Sequence, residues 1–459
     1  MPAVRILAGA LLALVNATAL AQPLDLLQAW QRARQSDAAW LAAQATARAG
    51  SEVVPIARAA LLPQVQLSMQ RAHNGVDYAA DGAPEQRYFG GHQTLTLRQA
   101  LYRPDLRARL DQAQAEQREV LARESAEGAT LLGRVGEAYV DVLLAGDRIG
   151  LLRAQIASAR LQLAAAGRAR VAGTGTRTDE DEARARLDLL QAQLLEANQA
   201  LTGARQGLEL LLQQPVNALM ALPEALTGSS EALQTTLSLA QWLAMAEQGN
   251  PELQALQAQV DVAAHELRRA RAAHLPSVDI LLQWQHSDRD GVTSPTARYR
   301  QAQAGVQLSV PLYAGGGVDA AVRQALSGQE RARFALEAAR RDLHNRVTRE
   351  WRAVTEGQAR TRAYGQAVLS AEQLVNATRA SFAAGVRSNL DVLDAQERLA
   401  SARSELTRTR LQVLASRLRL EALAGRADET ALVPINAQLQ TPLRLADFAS
   451  PVPVPDAPP

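Results

Sequence analysis

Asp391 and Asp394 stand one helical turn apart, just beyond a glycine that interrupts a long helical pattern. The stretch is Phe382-Ala-Ala-Gly-Val-Arg-Ser-Asn-Leu-Asp-Val-Leu-Asp394. Gly385 breaks the helix, and Ser388 or Asn389 caps its restart. Two chemistries fit the carboxylates. Ser388-x-x-Asp391 is a capping-box pattern, and acids favour the positive end of a helix. Carboxylates on one helix face, multiplied by symmetry, also form a ring that attracts cations. A second stretch, Val171-Ala-Gly-Thr-Gly-Thr-Arg-Thr-Asp-Glu-Asp-Glu182, lies 212 residues earlier. There Gly173 precedes Asp179 by six, as Gly385 precedes Asp391. Both glycines suit the left-handed position that closes a helix. Glu180 and Glu182 read as a solvated cap. Arg177 reads equally as a tip contact or a surface charge.

Catalytic patterns do not assemble. The histidines His73, His92, His265, His274, His286 and His344 are scattered and form no H-E-x-x-H pair. Gly173-x-Gly175 lacks a third glycine, and no Gly-Lys-Ser/Thr loop exists to cradle a nucleotide. The absence of Cys excludes disulfides, thiolate metal sites and a lipidated N-terminal Cys. The expectation is no enzyme and no cofactor, with a metal only adventitious or as an inhibitory cation at the acidic pair. A net charge of +2 makes no case for nucleic acid.

The acidic pairs need long helices to carry them. Ala, Leu, Gln and Arg dominate the 459 residues, aromatics are only 3%, and all 49 basic residues are Arg. Proline is missing from Asp105 to Gln214, with Gly173-Thr-Gly175 the strong breaker. That predicts helices over about 105–171 and 178–213, the first roughly 100 Å long. Helices of that length require partners to pack against. A second proline-free stretch runs from Gly317 to Val433, split by Gly385.

The chain reads as built twice. Leu237 to Ala273 mirrors Leu24 to Ala60, Asn250 mirrors Asp37, and Leu275-Pro276 mirrors Leu62-Pro63, all at an offset of 213. Each half reads helix, strand, loop, strand, long helix, tip, helix. The expected layout is a signal peptide over 1–21, a first repeat over 22–214 with strands near 64–74 and 92–102, and a connector over 215–236. A second repeat covers 237–425 with strands near 277–286 and 301–312. A C-terminal segment over 426–449 and a disordered, Pro-rich tail over 450–459 follow. Arg5, the apolar run Ile6–Val15 and Ala19-Leu20-Ala21 carry the signal reading, so the chain is expected to be exported.

The strands alternate with period two. Val65, Leu67 and Met69, Leu95 and Leu97, Ile280, Leu282 and Trp284, and Val306, Leu308 and Val310 form apolar faces. Gln, Ser and Thr occupy the opposite faces. No later run is apolar enough for a membrane helix, so membrane entry requires strands. Alternation with aromatics at strand ends (Tyr88, Phe89, Tyr102, Trp284, Tyr299, Tyr313) is the barrel pattern. A half-buried soluble sheet alternates too. Four strands cannot close a membrane barrel, so chains must pool them: two give eight, three give twelve.

Together these features resemble the TolC family of outer-membrane efflux and secretion channels. The likeness rests on Pro63 and Pro276, on Leu312-Tyr-Ala-Gly-Gly-Gly317, and above all on Gly385-Val-Arg-Ser-Asn-Leu-Asp-Val-Leu-Asp394. It covers nearly all of the mature chain. The resemblance implies a mainly α fold with a membrane β-barrel: a homotrimer whose four strands per chain pool into a twelve-stranded barrel, continued by a long α-helical periplasmic tunnel. It implies an outer-membrane location in a Gram-negative bacterium, contact with outer-membrane lipid, a periplasmic adaptor, and an inner-membrane ABC or proton-driven transporter. By position it makes Asp391 and Asp394 an entrance selectivity ring. It makes Asp179, Thr178, Arg387 and Phe382 entrance-closing contacts, and Gly173 and Gly385 tip turns. The family's tyrosine is replaced here by Phe382, which has no hydroxyl to bond. The implied function is a passive exit duct for type I protein secretion, for efflux, or for both. Multidrug efflux is one alternative. A periplasmic coiled-coil adaptor is the alternative from another class.

Overall fold

The computed structural model describes residues 23–76, 86–223, 237–289 and 297–449. The expected signal peptide, most of the connector and the tail lie outside the described residues. The chain divides into two compact units. One comprises Ala43–Ser125 and Pro251–Arg341. The other comprises Ala126–Asn250 with the described parts of Met1–Ala42 and Asp342–Pro459.

The first repeat runs α1 (Leu26–Ser36), α2 (Ala38–Ser51), α3 (Val53–Ala59), β1 (Gln64–Val76), β2 (Gln86–Tyr102), α4 (Pro104–Val171) and α5 (Arg177–Leu212). After β3 (Ala218–Ala221) the order returns: α6 (Leu239–Gly249), α7 (Pro251–Ala272), β4 (Ser277–Asp288), β5 (Arg298–Ser309), α8 (Gly317–Ala383) and α9 (Asn389–Leu423). α10 (Glu429–Asn436), β6 (Thr441–Arg444) and α11 (Ala446–Ala449) follow. α4 and α8 have 68 and 67 residues, and both contribute to both units.

The single helices expected over Leu24–Ala60 and Leu237–Ala273 are each interrupted. Asp37 (φ −67°, ψ 119°) and Asn250 (φ −64°, ψ 118°) leave the helical region at equivalent positions. Asp37 Oδ1 accepts the Trp40 N–H at 2.8 Å, so it caps α2 as it ends α1. Asn250 Nδ2 donates to the Leu423 carbonyl at 3.0 Å, and Pro251 opens α7. The duplication reaches single side chains. The pair Arg205–Glu209 on α5 recurs as Arg417–Glu421 on α9, 212 residues on. The left-handed Gln213 recurs as Gly425.

The core of the second unit lies along α4. Leu131, Val135, Tyr139, Val142, Ile149, Leu152 and Ile156 form a helical stripe that is almost fully buried. The Tyr139 hydroxyl, between the Met220 and Leu24 carbonyls at 2.6 and 2.9 Å, ties the stripe to β3. β3 pairs antiparallel with β6, and Leu24 bridges to Leu219. Glycines let helices approach. A Cβ at Gly357 would meet Val413 Cγ2 at 2.4 Å, which brings α8 against α9.

The other unit carries one four-stranded antiparallel sheet in the order β1-β2-β4-β5. Its register places Val65, Leu97, Leu282 and Ala304 in one row and Leu67, Leu95, Trp284 and Ala302 in the next. The opposite face carries rows such as Gln66, Thr96, Gln283 and Gln303. Exposure is inverted relative to a soluble sheet. On the two inner strands Leu95, Leu282 and Trp284 are exposed, while Thr94, Thr96, Gln283 and Gln285 are half-buried. The outer strands β1 and β5 each pair on one side only within the chain.

The strands extend further than their alternation predicts. β1 continues to Val76, just past the expected end near 74, and β2 begins at Gln86 rather than near 92. Likewise β4 reaches Asp288 rather than 286 and β5 starts at Arg298 rather than 301. Polar side chains on both faces hide the period there. Gly90 and Gly91 read as loop residues but allow close strand approach. Cβ atoms at these positions would lie 1.9 Å from the Arg289 carbonyl and 2.2 Å from the Gln70 carbonyl.

Candidate functional site

Both acidic stretches form tight turns between long helices. α4 ends with Gly173 at φ +72°, and α8 is closed by Gly385 at φ +74°. The Thr174 N–H reaches back to the Ala169 carbonyl at 2.9 Å, and the Val386 N–H to the Ser381 carbonyl at the same distance. These bonds satisfy carbonyls that the helix end leaves open. The next helices start alike. Thr176 caps α5 and Ser388 caps α9, each in a capping box closed by the aspartate three residues on. Of the two expected caps, Ser388 is the one used.

Asp391 is therefore held on both sides. Its Oδ2 accepts the Ser388 N–H at 2.9 Å and the Ser388 hydroxyl at 2.8 Å. Its Oδ1 accepts from Arg387 Nη1 at 3.3 Å. The Ser388 bonds, with Arg387 alongside, keep the carboxyl below the usual range, so it stays ionised. Asp179 is lowered in the same way by the Thr176 N–H and hydroxyl. Asp394 lies one turn further on and is half-buried. Its side chain makes no hydrogen bond or ion pair among the described residues.

The proposed entrance-closing set does not meet within one chain. Arg387 pairs with Asp391 of its own tip, and Asp179 bonds to Thr176. Thr178 is exposed, and Phe382 is 47% exposed. No contact joins Arg387 to Asp179 or Thr178 among the described residues. Nearest the tips, the two hairpins are linked instead through Glu397 of α9. It accepts from Arg186 of α5 and, at 3.5 Å, from Gln155 of α4. Six residues behind it, Arg403 pairs with Glu372 of α8 at 2.9 Å. Next to that, the Ser404 hydroxyl donates to Asp147 of α4 at 2.6 Å. Burial pushes the Asp147 carboxyl up, and the Ser404 bond opposes that. In an Arg- and Glu-rich chain, no sequence signal singles out Glu397, Arg186 or Asp147.

Two segments, residues 29–213 and 242–426, match the model described as outer membrane efflux protein. The chain belongs to the outer membrane efflux protein family. The matched segments lie 213 residues apart, which is the spacing of the duplication. The chain is 35% identical to the alkaline protease secretion protein AprF of Pseudomonas aeruginosa, over 96% of this chain and 93% of AprF. It is 32% identical to the proteases secretion protein PrtF of Dickeya chrysanthemi, over 92% of each chain. It is 30% identical to the outer membrane protein TolC of Vibrio cholerae, over 91% of this chain and 94% of TolC. Among solved structures, CusC superposes with a TM-score of 0.71 at 18% identity, covering 88% of this chain and 92% of CusC. VceC of Vibrio cholerae gives 0.70 at 18%, covering 87% and 96%. The fold is shared with these channels, and this outer membrane efflux protein is an exit duct of the Gram-negative outer membrane.

Proposed function

We propose that this efflux protein acts as a homotrimeric, passive exit duct for type I protein secretion, fed by a periplasmic adaptor and an inner-membrane transporter that supplies the energy. The observation that carries the reading is the inverted sheet. On its two inner strands the apolar face is the more exposed and the polar face is half-buried, and the two outer strands are unpaired on their far sides among the described residues. In lipid those edges must be paired, since each unpaired backbone group costs several kcal/mol. The four strands alternate in direction, so β5 of one protomer can pair antiparallel with β1 of the next. Head-to-tail pairing around a three-fold axis closes twelve strands. Protein cargo is favoured because AprF and PrtF, two of the more similar relatives, are named for protease secretion.

The three copies of the Asp391 and Asp394 pair form the selectivity ring at the tunnel entrance. Arg387, Asp179, Thr178 and Phe382 close that entrance between neighbouring protomers, and Glu397 with Arg186 latches α9 to α5 within each. Because Phe382 has no hydroxyl, closure there relies on the charged residues. Opening moves the start of α9, so it must break the Glu397 contacts. Deleting the protein from its native host tests the cargo. Loss of extracellular proteins with unchanged tolerance to small toxic compounds is expected. The reverse phenotype would replace protein secretion with efflux of small molecules.

A further inference from the structure

The apolar face of the sheet changes character at only one end. Toward the helices it stays uncharged, through Ile280 and Val306 to Val278, Leu308 and Tyr102. Toward the β1–β2 and β4–β5 connections, the next rows read Met69–Gln93–His286–Arg300 and Arg71–Gly91–Asp288–Arg298. Arg87, opposite Gly75, follows on the same face. Aromatic rings flank the change: His73 lies 4.6 Å from Phe89, and Trp284 lies 6.4 Å from His286. The uncharged band from Ala302 to Val310 runs about 26 Å along the strand at 3.3 Å per residue, or about 20 Å along the membrane normal at a barrel tilt of about 40°, close to the apolar band of a membrane barrel. The arginines therefore sit at the boundary between hydrocarbon and headgroups, on the leaflet away from the helices.

Their pairing is uneven. Arg298 is matched by Asp288 at 2.8 Å. Arg71 and Arg300 are exposed and have no carboxylate partner among the described residues. A guanidinium facing lipid at this depth calls for an anion, and its fork matches phosphate. Arg71 lies on β1 and Arg300 on β5, the two strands that barrel closure makes neighbours.

We propose that Arg300 of one protomer and Arg71 of the partner subunit together hold a phosphate on the sugar headgroup of an outer-leaflet glycolipid, at each seam of the barrel. The site rests on the trimeric closure proposed above. A phosphorylated glycolipid fits better than a zwitterionic phospholipid, because the cluster has cations to spare and, among the described residues of these rows, Asp288 as the one acid. The connecting stretches contain Asp77, Asp81, Glu85 and Asp290. If those acids rather than lipid phosphate were the partners of Arg71 and Arg300, lipid binding would ignore the phosphate.

Native mass spectrometry of the purified protein in detergent reads oligomer and bound lipid in one spectrum. The probes are bis-phosphorylated lipid A, its dephosphorylated form, and inorganic phosphate as competitor. The wild-type trimer should retain the phosphorylated lipid and release the dephosphorylated one. R71Q/R300Q should weaken binding about 25-fold, at about fivefold per arginine, with the trimer preserved. R71K/R300K keeps both charges but not the fork and should recover part of the binding, which separates loss of charge from loss of fold. Equal binding of the two lipids, an R71Q/R300Q variant that binds like wild type, or displacement of the lipid by equimolar inorganic phosphate would each overturn the site. A wild type that never trimerises would overturn the closure itself, and the seam with it.

Discussion

Replacing Ser388 by Ala isolates the start of the helix that carries the acidic pair. The Ser388 hydroxyl accepts the Asp391 N–H at 3.2 Å and donates to the Asp391 carboxylate at 2.8 Å. The variant loses both bonds and keeps the backbone bond from Ser388 to Asp391. Loss of such a cap costs about 1 kcal/mol, so the frayed first turn of α9 becomes about fivefold more populated. Hydrogen exchange on peptides covering 389–395 reads this directly. T176A should give a similar loss of protection at the start of α5, because the two caps share one geometry. Asp391→Asn keeps an acceptor for the Ser388 N–H, so protection should fall much less than in S388A while the charge is removed. The pH dependence has a definite sign. The folded pKa of Asp391 is depressed. Its contribution is therefore fully present above the unfolded carboxyl value, about 4, and disappears as pH falls through the lower folded value. Protection corrected for intrinsic exchange should be flat from about pH 5 upward and fall in acid. Unchanged protection in S388A, or a loss in D391N as large as in S388A, would refute the capping account.

Two further substitutions probe the packing and the membrane face. Gly425→Ala places a Cβ 2.0 Å from the Gly249 carbonyl at a residue with φ +76°, so it should cost at least about 2 kcal/mol and lower the melting temperature by several degrees. An unaltered melting temperature would show that the Gly249–Gly425 approach can relax freely. Val306→Arg puts a charge near the middle of the exposed apolar band, where about 2–4 kcal/mol is expected against insertion. The membrane-fraction trimer should fall for V306R but not for Gln303→Arg on the polar face, and equal yields would argue against a lipid-facing band.

The duplication was legible because its markers are residues with hard backbone rules. Gly173 and Gly385 take positive φ, and Pro63 and Pro276 stop helices before strands, so the offset shows through divergent sequence. Breaks made by ordinary residues were not legible. Asp37 and Asn250 end helices by leaving the helical region for one residue, and the apolar period continues across them. β3 and β6 escaped notice because four residues carry no readable period, and Pro442 in β6 argues against a strand. The acidic pair was legible as a helix start, and the choice of Ser388 over Asn389 needed coordinates. The Glu397, Arg186 and Asp147 links join residues from 211 to 257 apart in sequence or span helices brought together only by folding. Their residue types are common along the chain, so nothing local marks them.

Planar-bilayer conductance of the purified protein, wild type beside D391A/D394A, tests the duct and its acidic entrance together. Discrete channels that prefer cations and are blocked by multivalent cations are expected. In the double variant, preference and block should weaken while the trimer stays intact. Arg387→Ala removes the tip pairing and should raise conductance if the wild type is held shut. A folded, membrane-extracted protein that stays silent as wild type and as R387A would contradict the account.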